Sequence, residues 1–113
     1  VSKLFGDGGI IAISSFISPY KIDRDNVRKL HIEANLKFIE VFVDCPLSTA
    51  EMRDPKGLYK LARAGKIKNF TGIDDPYEPP KNPEIHLSSH IMEVSEEVST
   101  IVDYLRENSV IKI

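Results

Sequence analysis

Cysteine is almost absent from this chain: Cys45 stands alone among 113 residues. That excludes an internal disulfide and any cysteine-based zinc cluster, and it fits a reducing compartment. A basic surplus is missing as well. Fifteen Lys and Arg face seventeen Asp and Glu, for a formal charge of −2, so the electrostatic footprint of a non-specific nucleic-acid binder is not there. Long apolar runs are lacking too. The longest uncharged stretch, Gly8 to Tyr20, has 13 residues broken by serines and a proline, too short and too polar to span a bilayer. His31, His86 and His90 lack metal-ligand spacing, which leaves them structural or surface roles. No Gly-rich loop able to cradle phosphate occurs, and no stretch reads as a signal peptide.

What remains is a globular composition, with 42% hydrophobic and 28% charged residues in 12.7 kDa. A chain of this mass exposes roughly 6,200 Å² folded against roughly 18,400 Å² unfolded, so about two-thirds of its surface can be buried. That supports one core and one domain, over residues 1–113. The opening Val1-Ser2-Lys3-Leu4-Phe5 carries helical apolar spacing that Gly6, Gly8 and Gly9 stop. A helix starting in its middle, without Met, reads as part of a longer protein.

Ile10 to Phe16 is an apolar, β-branched run without alternation, as expected of a strand buried on both faces of a parallel sheet. Asp23 to Asn35 reads as a helix with Asp23 as N-cap and Val27, Leu30, His31 and Ala34 on one face. Phe38 to Val43 is a second strand, and Pro46 suits the first turn of a short helix ending at Arg53. Lys56 to Lys66 favours helix; residues 69–83, with Gly72 and four prolines, form an irregular loop. Ile85 to Leu87 is a third strand. Val94, Val98, Ile101, Val102 and Leu105 stripe a terminal helix. The alternation implies a parallel α/β sheet with helices on both faces. Three strands are thin for such a fold, which usually has about five. The apolar faces of the first two strands are therefore expected to be under-covered, and the chain poorly soluble or associated with a partner.

Ligands of open parallel sheets sit beyond the carboxyl ends of the strands. The turns 15–20 and 44–46 fall there. A serine such as Ser18 could contact a ligand or act as nucleophile; equally, it could bond local backbone as turn serines do. Between Arg53 and Lys68 the cations dominate, and helical spacing puts Lys56, Lys60 and Arg63 on one face. Such a face can close over polyphosphate or simply be solvated. Phe70 beside Gly72 could stack on a base or anchor its loop. Cys45 is expected to pack as a small apolar residue.

The strings Phe16-Ile17-Ser18-Pro19-Tyr20, Phe38-Ile39-Glu40-Val41-Phe42-Val43-Asp44, Arg53-Asp54-Pro55-Lys56-Gly57-Leu58-Tyr59-Lys60 with Ala62-Arg63, and Phe70-Thr71-Gly72-Ile73-Asp74 with Pro76-Tyr77-Glu78 occur in this order and spacing. In these the chain resembles the adenylylsulfate (APS) kinases over essentially its whole length. The resemblance implies an α/β P-loop kinase fold and transfer of the γ-phosphate of ATP to the 3′-hydroxyl of APS. The products are 3′-phosphoadenosine 5′-phosphosulfate (PAPS) and ADP.

Carried over residue by residue, Ser18 matches the serine assigned in the family as a phosphoserine intermediate. Direct in-line transfer is simpler chemistry, since it needs positioning and charge neutralisation more than a covalent relay. Ser18 is therefore expected, with Ile17, mainly to bind APS. Lys56 matches a lysine contacting APS, and Phe70, with Asn69 beside it, matches the aromatic stacking on the APS adenine. Lys60 and Arg63 match a mobile lid, Arg53 a residue flanking the ATP adenine, and Met92 an ATP-contacting loop. The lid is expected over residues 54–68 and the APS-binding loop over 69–80. No metal ligand is expected here: the family's P-loop, its Asp-Gly-Asp-Asn segment, its phosphosulfate-gripping arginines and the Mg²⁺ ligand are all expected upstream of Val1. The residues present are then expected to be inactive alone. Two alternatives accompany this reading, a non-catalytic PAPS-binding regulatory module and a kinase domain fused to ATP sulfurylase. The resemblance further implies a cytoplasmic homodimer with neither nucleic-acid nor membrane partners.

Overall fold

Two short parallel strands organise the chain, in a computed structural model that describes residues 1–112. Strand β1 (Val41–Asp44) pairs with β2 (Ile85–Ser88), with Val41 opposite Ile85 and Asp44 opposite Ser88. Helix α1 (Ser2–Asp7) and helix α2 (Lys21–Glu33) precede β1. Helices α3 (Leu47–Arg53) and α4 (Leu58–Arg63) follow it, and α5 (Val94–Glu107) follows β2. Parallel pairing demands a long crossover, and residues 45–84 supply it.

The local chemistry accounts for most boundaries. Val41, Phe42 and Val43 suit a pleated surface. Pro46 is the N-cap of α3, one position before the first turn. At α5, the Glu96 carboxylate returns to the Glu93 backbone N–H at 2.7 Å, satisfying one donor the helix leaves open. The long loop is irregular as its prolines require, apart from a single bridge between Thr71 and Asp75.

Several expectations are corrected. Residues 10–16 are extended but form no strand, and Ile13 and Phe16 are 91% and 82% exposed. A strand exists only through hydrogen bonds to a neighbour, and no described segment pairs with this one; an apolar, β-branched sequence cannot supply the partner. Helix α1 runs through Gly6 to Asp7 before the later glycines end it. Helix α2 begins at Lys21 with Tyr20 as N-cap, so Asp23 sits inside the first turn, favourably placed against the helix dipole. Strand β1 starts at Val41 rather than Phe38, and only β2 lies beside it. Lys56 lies outside α4: Gly57 adopts a left-handed conformation, φ 68°, which separates it from the helix. The face expected to unite Lys56, Lys60 and Arg63 is thereby broken.

Ala62, Ile85 and Leu87 are the buried apolar residues among those described, and His31 is the buried polar one. The histidine is satisfied: Nδ1 donates to the Val27 carbonyl at 2.8 Å, and Nε2 lies 3.4 Å from the Ser2 hydroxyl. Arg28 ties α2 to the strand entrances. Its guanidinium lies 2.7 Å from Glu84, whose same carboxylate oxygen accepts the Glu40 N–H. The hydrogen bond to Glu84 is the main cause of the raised Arg28 pKa, with burial acting against it.

Candidate functional site

Of the two turns expected beyond strand ends, 44–46 follows β1, whereas 15–20 follows no strand among the described residues. Asp44 closes β1. Its carbonyl accepts the Ser89 N–H and hydroxyl at 2.9 and 3.1 Å, and its carboxylate lies 2.8 Å from His86 Nε2. The His86 ring stacks on Phe42, which stacks in turn on Tyr77, at centroid distances of 5.0 and 6.1 Å. Burial is the main cause of the raised Tyr77 pKa, against the opposing influence of Arg24.

Residues 54–68 stand beyond these strand ends as a turn and a short helix. Both oxygens of Asp54 accept amides of α4, from Tyr59 at 3.0 Å and Lys60 at 3.1 Å, which fixes the helix at its start. Arg63 forks onto Glu51 of α3 at 3.2 and 2.6 Å. That hydrogen bond holds the Glu51 carboxyl below its ordinary range and raises the Arg63 guanidinium. Lys56 and Lys60 are exposed, and neither pairs with a carboxylate among the described residues.

Tyr59 of α4 meets Phe70 edge to face at 5.0 Å, which joins this segment to the following loop. Asn69, in the left-handed region, and Gly72 turn the chain around Phe70, whose N–H donates to Asp74 at 3.2 Å. A side chain at position 72 would meet Leu47 at 3.1 Å in addition to the strain of φ +91°. Arg53 reaches the Ser89 carbonyl with both terminal nitrogens at 3.3 Å. Ser89 and Met92 share the turn after β2, where the Met92 N–H donates to Ser88.

The sequence candidates thus fall into three groups. Lys60 and Phe70 are brought together through Tyr59, and Arg53 is anchored beside the turn bearing Met92. Ile17 and Ser18 stand apart, one wall of an open trough of about 580 Å³ that runs under the extended residues 10–18 and past Tyr77. Ser18 has a positive φ of 43°, and its carbonyl accepts from Arg24. Cys45 is half-buried, its Sγ 3.6 Å from the Pro46 carbonyl. Arg24, Glu51, Asp54 and Glu78 were missed as contributors. Arg24 and Glu51 act on partners distant in sequence, while Asp54 and Glu78 lie in quoted strings but carry no chemistry there by composition.

Among the described residues no three His, Cys, Asp or Glu side chains gather where they could hold a metal ion. No helix among them is long and apolar enough to cross a membrane.

Comparison with known proteins gives a consistent result. The family model described as adenylylsulphate kinase matches residues 1–88. The chain is 59% identical over 112 residues to an adenylyl-sulfate kinase of Saccharomyces cerevisiae, covering 99% of this chain and 55% of that protein. A Penicillium chrysogenum adenylyl-sulfate kinase is 55% identical over 111 residues, covering 93% and 53%. Among solved structures, a Mycobacterium tuberculosis APS kinase in complex with AMPPNP and APS superposes with a TM-score of 0.87 at 45% identity, covering 91% of this chain and 59% of that one. The chain therefore spans about half the length of the curated relatives it matches.

Proposed function

From the premise that this chain belongs to the adenylylsulphate kinase family, and carries the α/β P-loop kinase fold over the part it spans, we propose that it serves the ATP-dependent phosphorylation of the 3′-hydroxyl of APS. Residues 54–68 act as a lid and residues 69–80 as the APS-binding loop. The observation that carries this reading is the edge-to-face contact of Tyr59 with Phe70 at 5.0 Å, which joins the loop aromatic to the segment bearing Lys56 and Lys60, two exposed ammonium groups with no carboxylate partner among the described residues. A nucleotide carrying an anionic tail needs that combination: a ring to stack on its base and point charges for its phosphosulfate or phosphates.

Each group then has a stated task. Phe70 stacks on the adenine of APS, held edge-on by Tyr59, with Asn69 turning the chain beside it. Ile17 and the backbone of Ser18 form the opposite wall. Lys56 neutralises the phosphosulfate, while Lys60 and Arg63 cover the transferred phosphate once Arg63 leaves Glu51. Arg53 and Met92 line the ATP side. In-line transfer requires chiefly this positioning and charge neutralisation, so Ser18 binds rather than relays. Mg²⁺, when bound, would screen the phosphate charges in such a reaction.

The test is a chimaera in which this chain is joined to the portion of the S. cerevisiae relative that it does not cover. It is expected to convert ATP and APS to ADP and PAPS. Phe70→Ala and Lys56→Ala are expected to raise KM for APS about tenfold or more, the scale of a lost stacking or charge-assisted contact. A folded chimaera that makes no PAPS sinks the reading.

A further inference from the structure

Arg24 hydrogen-bonds both segments assigned above to APS, and nothing in its sequence position announces it. It lies in the first turn of α2, with its side chain only 9% exposed. One terminal nitrogen donates to the carbonyl of Ser18 and the other to the carbonyl of Glu78. Its Nε is 3.5 Å from Glu40, and its guanidinium lies 5.7 Å from the centre of the Tyr77 ring. Glu78 completes the junction: its N–H donates to the Pro19 carbonyl at 2.8 Å, and its carboxylate accepts the Lys21 N–H at 2.9 Å. Residues 18–21 and 77–78 are therefore laced by the two hydrogen bonds of Glu78 and, between the Ser18 and Glu78 carbonyls, by one guanidinium.

The backbone at Ser18 gives this lacing a purpose. A non-glycine residue at φ 43° occupies a sparsely populated region and persists only where its surroundings hold it. The Ser18 carbonyl direction follows from that conformation, and Arg24 binds that carbonyl. A guanidinium can address two carbonyls and a carboxylate at once because its five donors form a fixed fork; an ammonium on a lysine stem cannot.

We propose that Arg24 is a positioning residue that holds Ser18 in its left-handed conformation and fastens the Ile17–Ser18 wall to the base of the 69–80 loop, so that both contact APS in one fixed geometry. Its relevance to APS rests on the function proposed above; the holding of Ser18 does not.

The test uses the 113-residue chain with Arg24→Lys, and Arg28→Lys as a control one turn further along α2. Amide hydrogen exchange at Lys21 and Glu78 is expected to speed up about tenfold or more in Arg24→Lys, the scale of a lost charge-assisted hydrogen bond, and to stay unchanged in Arg28→Lys. Ser18→Gly removes the left-handed strain, so in that background Arg24→Lys is expected to lose much of its effect. A role confined to general packing would show no such coupling. Calorimetric titration with APS, in the chimaera described above, is expected to give a Kd about tenfold weaker with Arg24→Lys than without it. Unchanged exchange in Arg24→Lys, equal effects of both lysine variants, or an undiminished effect in Ser18→Gly overturns the proposal. Exchange that responds as expected in the chain, with a folded chimaera that binds no APS, overturns the functional reading instead.

Discussion

Single side chains set how the proposed lid is held, and two are open to direct test. Asp54 accepts two amides of α4, so Asp54→Ala is expected to cost about 1 kcal/mol of local stability, as for a lost helix cap. Faster amide exchange at Tyr59 and Lys60 would register it. The Glu51–Arg63 fork is exposed, and its main effect is on protonation. Arg63 holds the Glu51 pKa below its ordinary 4.5, chiefly by their hydrogen bond. A depressed carboxylate contributes stability that is present above the ordinary value and lost as pH falls through the folded one. The Glu51 carboxyl carbon resonance is therefore expected to titrate below the ordinary value, and Arg63→Ala to return it toward that value. Tyr77 behaves oppositely. Its raised pKa, due first to burial, means that stability declines as pH climbs above the ordinary 10.0. An absorbance titration is expected to show one phenol ionising late, and Tyr77→Phe to remove that late step. At this scale the sequence displays chemistry but not partnership: Phe70 and Lys56 are legible in their strings, whereas Arg24 depends on a carbonyl 54 positions away.

Elements were legible where local chemistry suffices and illegible where a neighbour decides. Helices α3 and α5 fall within a residue or two of their expected spans because a proline, a returning glutamate and an apolar stripe mark them. Strand β2 is likewise found one residue longer than expected. Residues 10–16 fail the expectation because strand character is a property of a pair, and this segment has no described partner. The cationic stretch reads as continuous helix, yet Gly57 splits it with a left-handed turn. Gly57→Ala meets no steric obstacle from neighbouring atoms, so its cost is conformational alone, about 1–2 kcal/mol. If this turn serves the lid, the substitution weakens α4 without changing the melting of the rest, a difference that segment-resolved exchange reads out.

The whole molecule is more open than its mass requires. Its surface is 8489 Å² and its radius of gyration 16.1 Å, against roughly 6,200 Å² and about 13 Å for compact folds of this size. The excess is apolar in large part, with Ile10, Ile11, Ile13, Phe16 and Ile17 all at least half exposed. Contiguous apolar surface of this kind favours association. Sedimentation of the isolated chain is expected to show mass rising with concentration, and a hydrophobic dye to bind strongly; a monodisperse monomer with a sharp thermal transition would contradict this. The fold class survived translation from sequence because alternating elements are local facts. The openness follows from how few residues become fully buried.

Helix α4 is fastened at its front by Asp54 and its backbone turn is already made at Gly57. If residues 54–68 serve as the proposed lid, they are expected to move as a preformed unit rather than to coil up. Ligand capture then freezes few new backbone torsions, and the ordering that usually opposes closure of a cationic flap is already complete before any nucleotide arrives. The affinity of such a flap is set by the charges it brings, and salt, more than temperature, becomes the variable that governs how long it stays shut.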